Sequence, residues 1–360
     1  MEQDSQVPAQ FCNEAYYLRP EDHTLNDNLP PVRPKPENGR SHIPPATDLG
    51  AFNALSVELL SMILAEVDLQ TLLDFRLVNR RAAEVVDQDP PYKAIITHAL
   101  HALRGILSIE TGRQITCRTL YEKLCLSRCE VCNDFGGYLY LITCKRVCFL
   151  CLSRDKRYLP VTPQQAWREF GLSSDMVDTL PRMRVVPGTY SPNEQKAVRS
   201  VLVDYQSCLD TGLALHGSFT AMRKYASDID TRNLPPLWEL LQQRGASRIQ
   251  PLRAAPIDGH DRNPLRFVAI THMPWLNKES KQLEWGFHCV GCEGRTRAPY
   301  HYRRKFTADS FRVHLEQCSE IQDRKHVRDM VDENGARGLL DNVDGPVALV
   351  PVRRLHLQGG

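Results

Sequence analysis

Forty-five Lys and Arg against 43 Asp and Glu leave a net charge of only +2 over 360 residues, a balance that speaks against a chain whose main business is coating nucleic acid, although a local basic patch is compatible with it. A hydrophobic fraction of 42% and a charged fraction of 24% belong to a folding chain long enough for two or three domains. No run approaches the ~20 apolar residues that cross a bilayer, and the start MEQDSQVPAQ lacks the basic and apolar parts of a secretory leader. The expectation is an intracellular protein, cytoplasmic or nuclear, with no membrane span, in which twelve cysteines serve metal rather than disulfides.

Residues 1–47 are rich in Pro, Asn and Asp, as in LPPVRPKPENGR and HIPPA, without a sustained apolar period, which predicts a disordered leader. From Leu55 the pattern becomes LSVELLSMILAEVDLQTLLDFRLVNRRAAEVV. Ser56 is placed to cap a first helix with Leu59, Leu60, Ile63, Leu64 and Val67 on one face. Asp68 is placed to cap a second helix, carrying Leu72, Leu73 and Phe75, and a third carries Ala82, Ala83, Val85 and Val86. Three short helices joined this tightly cannot bury all these side chains among themselves, so some must face another body.

Over residues 48–92 this run resembles an F-box. The family's order of Leu-Pro-x-Glu-(Leu or Ile)-Leu-x-x-Ile, then Asp-Leu and a Leu-Leu pair, then Val-(Cys, Ser or Asn)-(Arg or Lys)-Arg is met at Leu55, Glu58, Leu59, Leu60, Ile63, Leu64, Asp68, Leu69, Leu72, Leu73, Leu77, Val78, Asn79 and Arg80. Ser56 stands where proline is usual, and Tyr92 where a tryptophan is frequent. The resemblance covers about an eighth of the chain. It implies docking on the Skp-type adaptor of an SCF ubiquitin ligase, with its cullin scaffold, through Leu55, Leu59, Leu60, Ile63, Leu72, Leu73, Leu77 and Val78.

After Pro90 and Pro91, residues 93–127 read as a helical connector: one longer helix over YKAIITHALHALRGIL, then a short one around TCRTLYEKLCL. Residues 128–160 follow as a metal module. Cys129 and Cys132 form one CxxC, Cys148 and Cys151 a second, and the fifteen residues between the pairs fit a zinc site. Each CxxC bends into a turn that aims two thiolates at one point, and four thiolates close a tetrahedral shell, the mark of a structural ion. Between the pairs, Asn133 to Gly137 read as a turn and Tyr138 to Ile142 as a strand. Cys144 is assigned to core packing. Cys117 and Cys125 invite a RING reading, but no histidine lies between Cys117 and Cys151.

Residues 161–258 read as helical. Thr162, Pro163 and Gln165 open one helix, and SPNEQKAVRSVLVDY repeats that grammar with Ser191, Pro192 and Glu194. A last amphipathic piece lies at PLWELLQQ. Residues 259–328 read as a ββα-like second zinc unit: strands RFVAITHMPWL and KQLEWGFHC joined by NKES, then Cys289 and Cys292, then His314 and Cys318 on one face of a helix capped by Asp309. His288 and His301 are alternative ligands. The basic, aromatic stretch containing Arg295, Arg297, Arg303, Arg304 and Lys305 is expected to be ordinary surface charge. Residues 329–360 read as a tail.

The expected fold class is α+β and mainly helical, with small zinc-stabilised modules. No Walker loop, nucleophile elbow or HExxH is present, and the expected role is non-catalytic. The F-box resemblance implies the substrate-recognition subunit of an SCF-type ligase, its protein target unspecified, with one or two structural Zn2+ ions. The alternative is a nuclear zinc-finger protein binding nucleic acid through segment 295–305. A third reading keeps the adaptor but delivers no target.

Overall fold

The computed structural model describes residues 7–18, 21–31, 48–232, 263–293, 300–318, 321–322 and 325–326. It is a mixture of helices and small antiparallel sheets. Expectations for PLWELLQQ, for Arg295 and Arg297, and for the tail 329–360 fall outside these residues.

Side-chain caps set the helical part. Ser56 accepts from the Leu59 amide, Asp68 from Thr71, Asn79 from Ala82 and Asp89 from Tyr92, opening Val57–Glu66, Leu69–Val78, Arg80–Gln88 and Pro90–His98 in succession. Each cap satisfies an amide that the helix cannot satisfy itself. The longer helix expected next is two: Ala99 leaves helical geometry at φ −130° and Leu100–Ser108 follows. Neither Pro nor Gly marks that break. The two pieces serve different neighbours, the first packing on Cys117–Leu124 and the second on strand Ile270–His272 and helix Leu25–Asn28.

One hydrophobic core runs through units that the sequence divides. Leu60, Leu64, Leu69, Leu72 and Val86 of the three-helix stretch pack in the same cluster as Ile95, Ile106 and Leu120 of the connector and Tyr138 to Ile142 of the first cysteine module. A satellite cluster gathers Val161, Ala166, Phe170, Val177, Val203, Cys208 and Met222.

Two expected elements differ. In the first cysteine module, strand Tyr138–Tyr140 stops short and a second strand, Lys145–Val147, returns beside it, with Tyr138 opposite Val147. On its other side Tyr138–Tyr140 pairs with Ile270–His272 from the second unit, giving a three-stranded sheet. In the middle region SPNEQKAVRSVLVDY is no helix. Gly188–Tyr190 and Gln195–Ala197 form a hairpin whose turn holds Ser191 at φ 71° and Glu194 at φ 53°, and Val201–Val203 pairs with Arg182–Arg184. The β-branched valines and the partners supplied by residues 182–184 outweigh the cap signal. The Thr162–Gln165 capping box does open Pro163–Phe170.

The leader is the largest departure. Phe11 packs against Phe287 and Phe311, Ala15–Tyr16 pairs with His288–Cys289, and Leu25 is wholly buried in the main core. The Asn28 side chain donates to the Thr189 carbonyl at 2.8 Å and accepts from the Thr189 amide at 2.9 Å. Gly188 makes room for it, since a Cβ there would lie 1.9 Å from Asn28 Oδ1. Residues 7–18 and 21–31 thus form a strap across the molecule. Their composition is polar, but a few apolar anchors at long sequence range order them.

Candidate metal centres

In the first centre the chain arrives on the Cys117–Leu124 helix and turns tightly, with the Asn133 amide donating to the Cys129 carbonyl at 3.0 Å and Asn133 at φ 64°. The strand pair then carries the chain out and back. Cys148 caps helix Phe149–Arg154, its sulfur accepting from the Cys151 amide. The result places the sulfurs of Cys129, Cys132, Cys148 and Cys151 all within 4.8 Å of one another, and those of Cys132 and Cys148 at 3.5 Å. A tetrahedral ion with metal–sulfur bonds of ~2.3 Å has sulfur–sulfur edges of about 3.8 Å, so the four fit a metal ion. The sulfurs share hydrogen bonds. Cys129 and Cys132 are held below the ordinary thiol range by Cys148, which is raised in return.

Arg146 stands behind this centre and was not singled out in the sequence. It is fully buried. Its Nε donates to the Gly136 carbonyl at 2.6 Å, and its Nη atoms donate to the carbonyls of Lys123, Pro274 and Met273 at 2.8 to 3.0 Å. These bonds tie the turn of the first cysteine pair to the strand before the second. A Cβ on Gly136 would come within 2.7 Å of the Arg146 side chain. Burial lowers the guanidinium to about 9. The available signal was a lone arginine inside the apolar run YLYLITCKRVCFLC. Cys144 lies outside the ligand set, buried in the strand turn at φ 52°, and burial pushes its thiol up to about 12.

The second centre gathers Cys289, Cys292, His314 and Cys318, all buried and with ligand atoms within 4.8 Å of one another. Cys292 Sγ and His314 Nε2 are 3.3 Å apart. His314 comes from helix Ala308–Gln317 and Cys318 ends it, as the four-residue spacing predicts. Thr307, not Asp309, is the cap, in a capping box with Ser310. Nor is the unit a self-contained ββα. The expected hairpin shrinks to Trp275–Leu276 with Leu283–Glu284, and the strand bearing Cys289 takes its partner, Ala15–Tyr16, from the leader. His288 turns away from the cluster and donates from Nδ1 toward the carbonyls of Tyr302 and Arg304. His301 is not among the clustered residues.

The described cations of the basic segment, Arg303, Arg304 and Lys305, are engaged within the fold. Arg303 Nη2 donates to Asp22 Oδ2 at 2.6 Å and to the Tyr138 hydroxyl at 2.9 Å, with its guanidinium 3.6 Å from the centre of the Phe149 ring. Arg304 grips Asp134 with two bonds of 2.6 and 2.9 Å, and Lys305, also buried, donates to the Trp285 carbonyl. Arg303 and Arg304 tie the second unit to the leader and the first centre, and Lys305 braces the unit internally. Asp22 had no local sequence signal, because its partners lie far along the chain.

The three-helix stretch divides by exposure. Leu60 and Leu72, expected at a partner contact, are core residues at 6% and 1% exposure. Leu55 and Leu73 are half-buried, whereas Leu59, Ile63, Leu77 and Val78 are exposed, joined by Val57 and Met62. Among the described residues no helix is long and apolar enough to cross a membrane. Comparison with protein-family models, curated proteins and solved structures returns no match to this chain.

Proposed function

We propose that the chain is a non-catalytic receptor subunit of an SCF-type ubiquitin ligase. Its three-helix stretch docks a Skp-type adaptor, which joins it to the cullin scaffold, and its metal-stabilised remainder holds a protein target near the ubiquitin-charged enzyme, where proximity accelerates transfer. The observation that carries this reading is a group of apolar side chains exposed among the described residues. Val57, Leu59, Met62, Ile63, Leu77 and Val78 are exposed on two consecutive helices that also bury Leu60, Leu64, Leu69 and Leu72. Burying one such side chain in a partner contributes about 1.5–3 kcal/mol. The metal is Zn2+, to which four thiolates, or three with one imidazole, are suited, and both ions are structural because four protein ligands leave no open position. Among the described residues no disulfide joins the cysteines, which leaves the clustered thiols available to a metal.

The test is co-purification with a Skp-type adaptor. Wild type is expected to bind, and Leu59→Asp with Ile63→Asp to lose binding by roughly a hundredfold or more while keeping its circular dichroism. A folded wild type that ignores the adaptor overturns the proposal. Of the cations behind the nucleic-acid alternative, Arg303, Arg304 and Lys305 are engaged internally, and Arg295 and Arg297 lie outside the described residues.

A further inference from the structure

The clustered ligands are not equally sheltered. All four of the second centre are buried, whereas in the first Cys129 and Cys148 are buried, Cys151 is half-buried and Cys132 alone is exposed. Its neighbours Val131 and Asn133 also stand in solvent, and Cys132 lines an open concavity together with Cys151. A small solute therefore reaches the Cys132 sulfur before any other in the two sets. That sulfur lies 3.5 Å from Cys148 Sγ, which follows it by 16 residues. The two sets also differ in charge. A divalent ion leaves two net negative charges on four thiolates but one on three thiolates with a neutral imidazole, so the sulfurs of the first centre are the more electron-rich.

We propose that Cys132 is an oxidation site through which a hydroperoxide opens the first centre and leaves the second intact. The Cys132 thiolate attacks one oxygen of hydrogen peroxide. An S–O bond forms, the O–O bond breaks and hydroxide leaves, so the sulfur is oxidised to a sulfenic acid and the peroxide is reduced. The Cys148 thiolate then attacks the sulfenyl sulfur: an S–S bond forms, the S–O bond breaks and a second hydroxide leaves. Two protons from solvent turn the hydroxides into water. A disulfide holds its sulfurs at ~2.05 Å, so the pair closes by about 1.5 Å. That movement falls to the exposed Cys132, because Cys148 is fixed as the cap of helix Phe149–Arg154. Two of the four ligands are then spent, and Cys129 with Cys151 cannot close a tetrahedral shell. Capture by so near a neighbour forestalls the irreversible sulfinic acid, so a thiol reductant restores the site. Nothing in this chemistry requires the receptor role, but the order of metal loss rests on zinc in both centres, as proposed above.

The experiment uses the full chain loaded with zinc, its metal content measured before treatment, and follows zinc release with a chromogenic chelator as hydrogen peroxide is added. About one zinc per chain is expected to leave roughly tenfold faster than the other, together with a Cys132–Cys148 disulfide found by peptide mapping. Dithiothreitol with fresh Zn2+ is expected to reload the site. Cys132→His keeps four ligands, in the same set as the second centre, without the accessible sulfur, and is expected to slow the fast loss to the rate of the other ion. Cys12→Ser removes an exposed thiol outside both clusters and is expected to change neither release nor disulfide. Loss of both ions together, a first disulfide on any other cysteines, failure to reload, or a Cys132→His variant as fast as wild type would overturn the proposal. An untreated chain without zinc would remove the metal reading, and mapping would still decide: a Cys132–Cys148 disulfide formed first keeps the oxidation site, and any other first product removes it.

Discussion

Asp22 and Arg303 are an ion pair that is 1% and 6% exposed at the side chains. Burial pushes the Asp22 carboxyl upward, but the Arg303 charge and hydrogen bond override it and hold the group below the usual carboxylate range. Breaking such a pair by removing one partner leaves a buried charge uncompensated, so Asp22→Ala is expected to cost ~3–5 kcal/mol in urea unfolding. A neighbour gives the fold a pH dependence. His272 lies against the Tyr138 ring at 4.9 Å, and burial lowers its pKa to about 4 from an ordinary value near 6.5. Between those values the unfolded chain binds a proton that the folded chain refuses. Stability is therefore full above pH 6.5 and declines as pH falls toward 4, after which Asp22 adds a further loss as it protonates. Thermal melts of His272→Phe are expected to show a shallower fall over pH 6.5 to 4 than wild type, and equal slopes would count against this origin. None of these groups announced itself locally. The eight clustered ligands did, because CxxC spacing and a His and Cys four apart are short-range geometry. Asp22 and Arg303 matter only through residues far away.

At the scale of elements, the helices bearing the outward leucines separate buried from exposed positions one residue apart. Leu59→Asp places a charge in solvent and should leave the fold intact. Leu60→Asp buries an unpaired carboxylate beside Leu64 and Leu72 and is expected to cost several kcal/mol, read as lost helicity or insoluble protein. The metal centres carry a larger stake. A structural zinc contributes an apparent ~10–16 kcal/mol against the ~5–15 kcal/mol of a whole domain. Cys132→Ser or Cys148→Ser is expected to lose metal and folded protein together, measured by metal content and solubility, and a well-folded metal-free variant would refute the assignment. Caps at Ser56, Asp68 and Thr162 were legible because the signal and the amide it satisfies are neighbours. The signals at Ser191 and in the longer connector helix misled for the opposite reason. A strand pairing and a change of packing partner, both invisible locally, decided those segments.

For the whole molecule, the modules suggested by the sequence are joined by a sheet, by a core common to the first of them and by a strap that reaches the second centre's own cluster. Strand Ile270–His272 belongs to the first centre's sheet, and Arg303 rests on the ring that follows Cys148. Deleting the first 30 residues should therefore harm the far end of the chain. The variant is expected to melt lower and to be cut by protease near Cys289, with the three-helix stretch less affected. A deletion variant with unchanged melting and protease resistance would show the strap to be incidental.

The strap has a further consequence in time. Translation delivers residues 7–18 and 21–31 well before several of the groups that hold them, Thr189, Cys289, Arg303 and Phe311. Until then Phe11 lacks the rings it packs against, and the nascent chain carries an apolar anchor that must be kept from other surfaces. A segment made early is settled late, so a stall that withholds residues 287–318 leaves the strap unprotected as well.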